Sequence, residues 1–184
     1  LYYHKDKGLT NSMIDKCKEC DVDVLALTVD TITGGNRERD LKTGFTSPPK
    51  LTLRSFFSFL FSPSWTLNYL FRDKFDLPFL SEYVKEGTDI KVSISDYFSN
   101  MLDQDLSWKD IENIRKIWPG KFCLKGIMSR EDAKKAIDCG VDAIMVSNHG
   151  GRQLDGSRSP FDQIREISDC VQNKIEVICD GGIR

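Results

Sequence analysis

Histidine is nearly missing from this sequence: the only two are His4 and His149. Cys17 and Cys20 form a lone C-x-x-C with no second cysteine pair, so the ligands of a zinc site are lacking and no metal is expected. The pair reads as buried helical cysteines rather than a redox motif. Cys123, Cys139, Cys170 and Cys179 fall inside apolar patterns, where a free thiol behaves as a small hydrophobe, and the usage suits a reducing compartment. An excess of one charge is also lacking. Lys and Arg total 26 against 28 Asp and Glu, a net charge of −2, which argues against nucleic acid as a partner. No leader pattern of basic start, apolar stretch and small-residue cleavage site follows Leu1, and both ends read as cut. A membrane-spanning run is missing as well. Ser55 to Phe71 is uncharged, but Pro63, Asn68 and several hydroxyl residues interrupt it, and a span needs about 20 mostly apolar residues.

What is present is an alternation of short apolar runs with amphipathic stretches, the pattern of βα units around a parallel sheet. The runs are Val24–Val29, Phe122–Leu124 leading into Gly126–Ile127, Ala143–Val146 and Val177–Cys179. Met13, Ile14, Cys17 and Cys20 share one helical face after the polar Thr10–Ser12. Ser107 with Asp110, and Ser129 with Asp132, are capping-box spacings ahead of two further helices. Pro119-Gly120 and Gly140 stop them, and Ser159-Pro160 opens the last.

The chemically useful residues gather where the strands end: Thr28 and Asp30, Lys125, Ser147 and His149, and Asp180. In a parallel barrel these ends open on one face, where active sites are built. Core packing does not explain four such ends, so an enzyme is expected.

Asn148-His149-Gly150-Gly151 puts an imidazole at a strand end beside glycines, and Arg152 follows three residues later. Histidine is the side chain best suited to move protons near neutral pH, and arginine grips a carboxylate through two parallel hydrogen bonds. A base beside a carboxylate clamp suits a small hydroxy acid. Asp30 in L-T-V-D-T could orient the histidine, or be an ordinary strand-end acid. Arg37 could serve the site, or pair on the surface with Glu38 or Asp40. Lys125 could form a Schiff base, bind phosphate, or stabilise a reduced flavin. Gly181-Gly182 and Arg184 in D-G-G-I-R could bind phosphate, or only shape a turn.

One segment breaks the βα rhythm. From Leu41 to Phe71 there is no acidic residue, while Lys42, Lys50 and Arg54 are present and Arg72 follows. Phe56, Phe57, Phe59, Phe61, Trp65, Tyr69 and Phe71 lie within it. Aromatic residues with basic neighbours and no acids suit a surface lying on anionic lipid. A cover for the barrel mouth or an oligomer contact is the alternative.

Taken together, S-N-H-G-G-R-Q-L-D-G, T-V-D, Lys125 before Gly126, and D-G-G-I-R resemble the FMN-dependent L-2-hydroxy-acid dehydrogenase and oxidase family over nearly the whole chain. The resemblance implies a (βα)8 TIM barrel with FMN at the C-terminal ends of its strands. It implies His149 as the base with Asp30 as its partner, and Arg152, Arg37 and Tyr2 as substrate ligands. Thr28, Ser147 and Lys125 would contact FMN, and Asp180, Gly181, Gly182 and Arg184 would begin its ribityl and phosphate site. The S-P-S-W stretch and S-W-K-D-I-E-N-I-R most resemble the bacterial respiratory L-lactate dehydrogenases of that family. That implies L-lactate oxidation, a quinone or cytochrome acceptor, and peripheral attachment at the cytoplasmic face of the inner membrane. A homo-oligomer is expected too.

A complete barrel takes about 250 residues. The chain has 184, so it is expected to supply four to five βα units of one FMN-binding domain, with an insertion over 41–104. The alternatives are another hydroxy acid such as mandelate or glycolate, oxygen as acceptor, an inert fragment, or a flavin-free aldolase using Lys125.

Overall fold

The computed structural model of this chain describes residues 1–31, 38, 42, 52–72, 101–154 and 156–183, apart from the side chain of Arg54. The chain divides into two compact units, residues 1–37 with 97–184, and residues 38–96.

Among the described residues the first unit holds four parallel strands, β1 (Val24–Thr28), β2 (Lys121–Lys125), β3 (Ala143–Val146) and β4 (Glu176–Cys179). They lie side by side in chain order. An open doubly wound sheet would reverse that order at a switch point, whereas a barrel does not. These are βα units of a (βα)8 barrel, incomplete in this chain. Thr28 stands opposite Lys125, Lys125 opposite Met145, and Val146 opposite Cys179, so all four strands end at one level. Tyr2 bridges Thr28 in parallel, which brings the first residues of the chain to that same rim.

The helices begin where local hydrogen bonding favours them. Helix α1 (Lys7–Glu19) starts earlier than the Thr10–Ser12 expectation, because the Asp6 carboxylate accepts from the Gly8 and Leu9 amides. It buries Leu9, Thr10 and Ile14, while Cys17 is half-buried and Cys20 is exposed at the C-cap rather than buried. In the numbering used here, α4 (Trp108–Ile117) carries the Ser107–Asp110 capping box and buries Ile111 and Ile114. Helix α5 (Arg130–Asp138) is capped by Ser129 and buries only Ala133 and Ala136. Helix α6 (Pro160–Val171) has Ser159 as its cap, with proline at its start. β2 begins at Lys121, one residue before the apolar run, because its amide donates to Asp23 and extends the ladder.

The core is where these faces meet. Leu25, Leu27, Phe122, Leu124, Ile144 and Val146 from the strands pack with Ile14, Trp118, Ile167 and Val171 from the helices. Trp118 is buried without leaving its indole unsatisfied, since Nε1 donates to the Lys121 carbonyl at 2.8 Å.

The second unit contributes two described helices, α2 (Leu53–Leu60) and α3 (Pro63–Phe71). Thr52 and Ser55 form a capping box at the first, and Pro63 opens the second. The Thr66 hydroxyl donates to the Phe59 carbonyl at 2.7 Å, and the rings of Phe59, Trp65 and Tyr69 stack in series at 5.4 and 5.2 Å. None of the described side chains of either helix is buried. Among the described residues no helix is long and apolar enough to cross a membrane.

Candidate active site

Strand pairing runs one step past the strands and lines up the functional side chains. The Val29 amide donates to the Lys125 carbonyl, Gly126 to Met145, and Asp180 to Val146, at 2.9, 3.0 and 3.0 Å. Asp30, Lys125, Ser147 with His149, and Asp180 therefore leave four adjacent strands at one rim. Thr28 and Ser147 are buried there.

Two groups form. In the first, His149 Nδ1 lies 2.6 Å from Asp30 Oδ2, across 119 residues of sequence. A carboxylate only accepts, so the proton of this contact sits on Nδ1 and Nε2 is left as the basic nitrogen. His149 has φ 55°, a left-handed conformation that costs a non-glycine residue about 1–2 kcal/mol. Strain of that size persists where the surroundings fix it. Here the His149 amide donates to Ser147 Oγ at 3.3 Å. Asn148 braces the turn: its Oδ1 accepts from the Gly151 amide, and its Nδ2 donates to Ser157 Oγ and the Arg158 carbonyl. Sequence reasoning gave Asn148 no such role, although a short amide side chain before two glycines is a turn signal.

In the second group, Lys125 Nζ donates to Ser147 Oγ at 2.7 Å and to Asp180 Oδ2 at 2.5 Å, and Ser147 Oγ donates to the same carboxylate oxygen at 2.8 Å. These hydrogen bonds, Lys125 first and then Ser147, hold the Asp180 carboxyl below the ordinary carboxylate range, helped by the charge of Lys125 against a smaller opposing effect of burial. Ser147 thus touches both groups.

Arg152 is exposed at the end of the His149 turn, and among the described residues no carboxylate pairs with it. Tyr2 reaches the rim through its bridge to Thr28. Its neighbour Tyr3 fastens that segment: the phenol donates to Asp110 Oδ1 at 2.8 Å, and Lys7 Nζ lies 3.6 Å from the ring centroid. Burial first, then the Asp110 hydrogen bond, push the Tyr3 phenol well above its ordinary range. The other histidine, His4, is a core residue whose buried ring is pushed below its ordinary pKa, chiefly by burial. Arg37 and Arg184 lie outside the described residues. Among the described residues no cluster of His, Cys, Asp or Glu is arranged to hold a metal ion.

The rim fits a flavin mononucleotide. Lys125 uses two of its three donor hydrogens within the cluster and keeps one for a polar ring edge. Gly181 and Gly182 have φ of 120° and 64°, and among the described residues, chain neighbours aside, no atom lies closer than 3.7 Å to where a Cβ would stand. Such a turn leaves backbone amides open to a phosphate.

The family model for FMN-dependent dehydrogenases matches residues 1–184. The chain belongs to this FMN-dependent dehydrogenase family. It is 40% identical over 185 residues to an L-lactate dehydrogenase of Vibrio parahaemolyticus and 38% identical to one of Acinetobacter baumannii, covering all of this chain and 48% of each relative. The chain thus spans about half the length of the curated relatives it matches. Among solved structures, a monotopic membrane protein, (S)-mandelate dehydrogenase, superposes with TM-score 0.85 at 28% identity, covering all of this chain and 47% of that one. A mandelate oxidase gives TM-score 0.71 at 27% identity, with 43% of that chain covered.

Proposed function

We propose that this protein oxidises L-lactate to pyruvate on FMN and passes the electrons to a quinone or cytochrome of the respiratory chain. The observation that carries the reading is the 2.6 Å contact of His149 Nδ1 with Asp30, which leaves Nε2 basic at the strand-end rim. Identity of about 40% to L-lactate dehydrogenases favours lactate among 2-hydroxy acids.

Oxidising lactate to pyruvate removes two electrons and two protons. FMN, when bound, supplies the two-electron acceptor. Arg152, with Arg37, binds the substrate carboxylate through paired hydrogen bonds, and Tyr2 faces the substrate hydroxyl region. His149 takes a substrate proton at Nε2, and the negative charge of Asp30 stabilises the imidazolium so formed. Thr28, Ser147 and Lys125 would hold the isoalloxazine side of FMN, and the lysine charge would favour its reduction. Asp180, Gly181, Gly182 and Arg184 would hold its ribityl and phosphate side.

Residues 41–104 are proposed as an insertion in one barrel domain, with the α2–α3 pair as its membrane-contacting part. Exposed Phe57, Phe61 and Trp65, without acidic neighbours in that stretch, support contact with anionic lipid at the cytoplasmic face of the inner membrane.

The test is turnover of the FMN-loaded protein on L-lactate, mandelate and glycolate, with dye reduction and hydrogen peroxide measured together. The expected result is the highest kcat/KM on L-lactate and little peroxide. A preference for mandelate, or peroxide equal to the pyruvate formed, overturns the assignment of substrate or acceptor.

A further inference from the structure

We propose that Gly126 is a positioning residue for the Asp30–His149 pair, its missing side chain being the space in which the Asp30 carboxyl lies. The inference builds on the reading of His149 as the base, but the contact itself stands apart from any reaction.

Three observations carry it. A Cβ on Gly126 would stand 2.5 Å from Cγ, 2.7 Å from Cβ and 2.7 Å from Oδ1 of Asp30, closer than real Cβ atoms approach anything. The atoms in the way begin at Asp30 Cβ, one bond from the backbone, so no flexible tail can swing aside.

The backbone on both sides is pinned. Gly126 N–H donates to the Met145 carbonyl at 3.0 Å, and Val29 N–H donates to the Lys125 carbonyl at 2.9 Å, fixing the residues just before Gly126 and Asp30. The part left to yield is the Asp30 side chain, which must shift as a whole and takes its carboxyl with it.

That carboxyl has one anchor. Oδ2 is held by His149 at 2.6 Å, while Oδ1 is buried with no hydrogen-bond partner among the described residues. Relieving the clash moves the carboxyl by about an ångström, which takes a 2.6 Å contact beyond hydrogen-bond range. Gly126 also has φ 108°, so it is required twice, for backbone conformation and for space.

The two requirements separate experimentally. Backbone strain from an alanine at position 126 is the same whatever residue 30 is, whereas the steric conflict disappears when the whole Asp30 side chain, Cβ included, is removed. The experiment compares wild type, Gly126→Ala, Asp30→Gly and the double variant in the FMN-loaded protein. It measures the thermal unfolding midpoint, the downfield proton resonance of the His149 Nδ1–H, and kcat on L-lactate. Gly126→Ala is expected to lose the downfield resonance, as Asp30→Gly does, and to lower kcat about 10²-fold, the loss typical of an ångström-scale misplacement. The double variant is expected to unfold at a higher temperature than Gly126→Ala and to have a kcat no lower than the worse single variant. Should Gly126→Ala fail to fold, recovery of folded protein in the double variant supports the proposal. Retention of the resonance in Gly126→Ala, failure of Asp30→Gly to raise its unfolding midpoint, or multiplying kcat losses overturns it. A wild type inactive on every hydroxy acid, with rescue of folding intact, overturns the functional reading and leaves the role of Gly126 in place.

Discussion

The sheet unit and the α2–α3 pair distribute apolar surface in opposite ways. In the sheet unit Phe122 is fully buried, and polar side chains gather at the rim where the strands end. In the helical pair the apolar residues face outward: Phe61 is 80% and Phe71 85% exposed, and no described side chain is buried. Soluble domains seldom display so much contiguous apolar surface without something to cover it. Hydrophobicity therefore means different things in the two regions. In the first it drives folding and so places the reactive groups; in the second it is available for binding.

That contrast can be broken, beginning with the largest effect. Phe122→Ala removes a fully buried ring between strands and helices, and chemical denaturation should show a loss of about 3–5 kcal/mol. A loss below about 1 kcal/mol would mean that the sheet is not held by this core. The matching change in the helical pair is Phe57→Ser with Phe61→Ser. It should leave stability within about 0.5 kcal/mol. It should also cut co-sedimentation with anionic-lipid vesicles several-fold; unchanged sedimentation with an altered oligomeric state would assign the face to a second copy instead.

The smallest effect concerns the rim. Because Lys125 and Ser147 hold the Asp180 carboxyl below its ordinary range, its folded-state pKa is lower than its unfolded-state value. The stabilisation is therefore present above about pH 4 and is lost as pH falls through the folded value. Asp180 is partly exposed, so screening keeps the contribution below about 1 kcal/mol. Urea titrations should show Asp180→Asn less stable than wild type at pH 7, with the gap closing at pH 3. A gap that widens in acid would contradict the assignment.

How much of this could be read beforehand depends on the range of the interaction. The Ser107–Asp110, Ser129–Asp132 and Ser159–Pro160 signals act over three residues or fewer, and the helices start at them. The β3 run Ala143–Val146 was legible to its ends because apolar residues fill it and polar ones flank it. The Asp6 cap of α1 was missed, because the apolar face of that helix suggests a later start. At the rim, residue types, strand ends and the pairing of His149 with Asp30 were readable, and the other partners were not. Asp180 turns to Lys125 over 55 residues, and Tyr3 to Asp110 over 107. Such pairings follow from the packing of elements far apart in sequence, which no local pattern encodes. The fit of Gly126 against Asp30 is of the same kind.

The central claim is that the rim of the sheet unit performs hydroxy-acid chemistry through His149. The most direct test mixes FMN-loaded wild type and His149→Gln with L-lactate under anaerobic conditions and follows flavin absorbance and pyruvate. Wild type should bleach with one pyruvate per flavin, while His149→Gln keeps its flavin and bleaches about 10²–10⁴-fold more slowly. Bleaching of the variant at the wild-type rate would contradict the account.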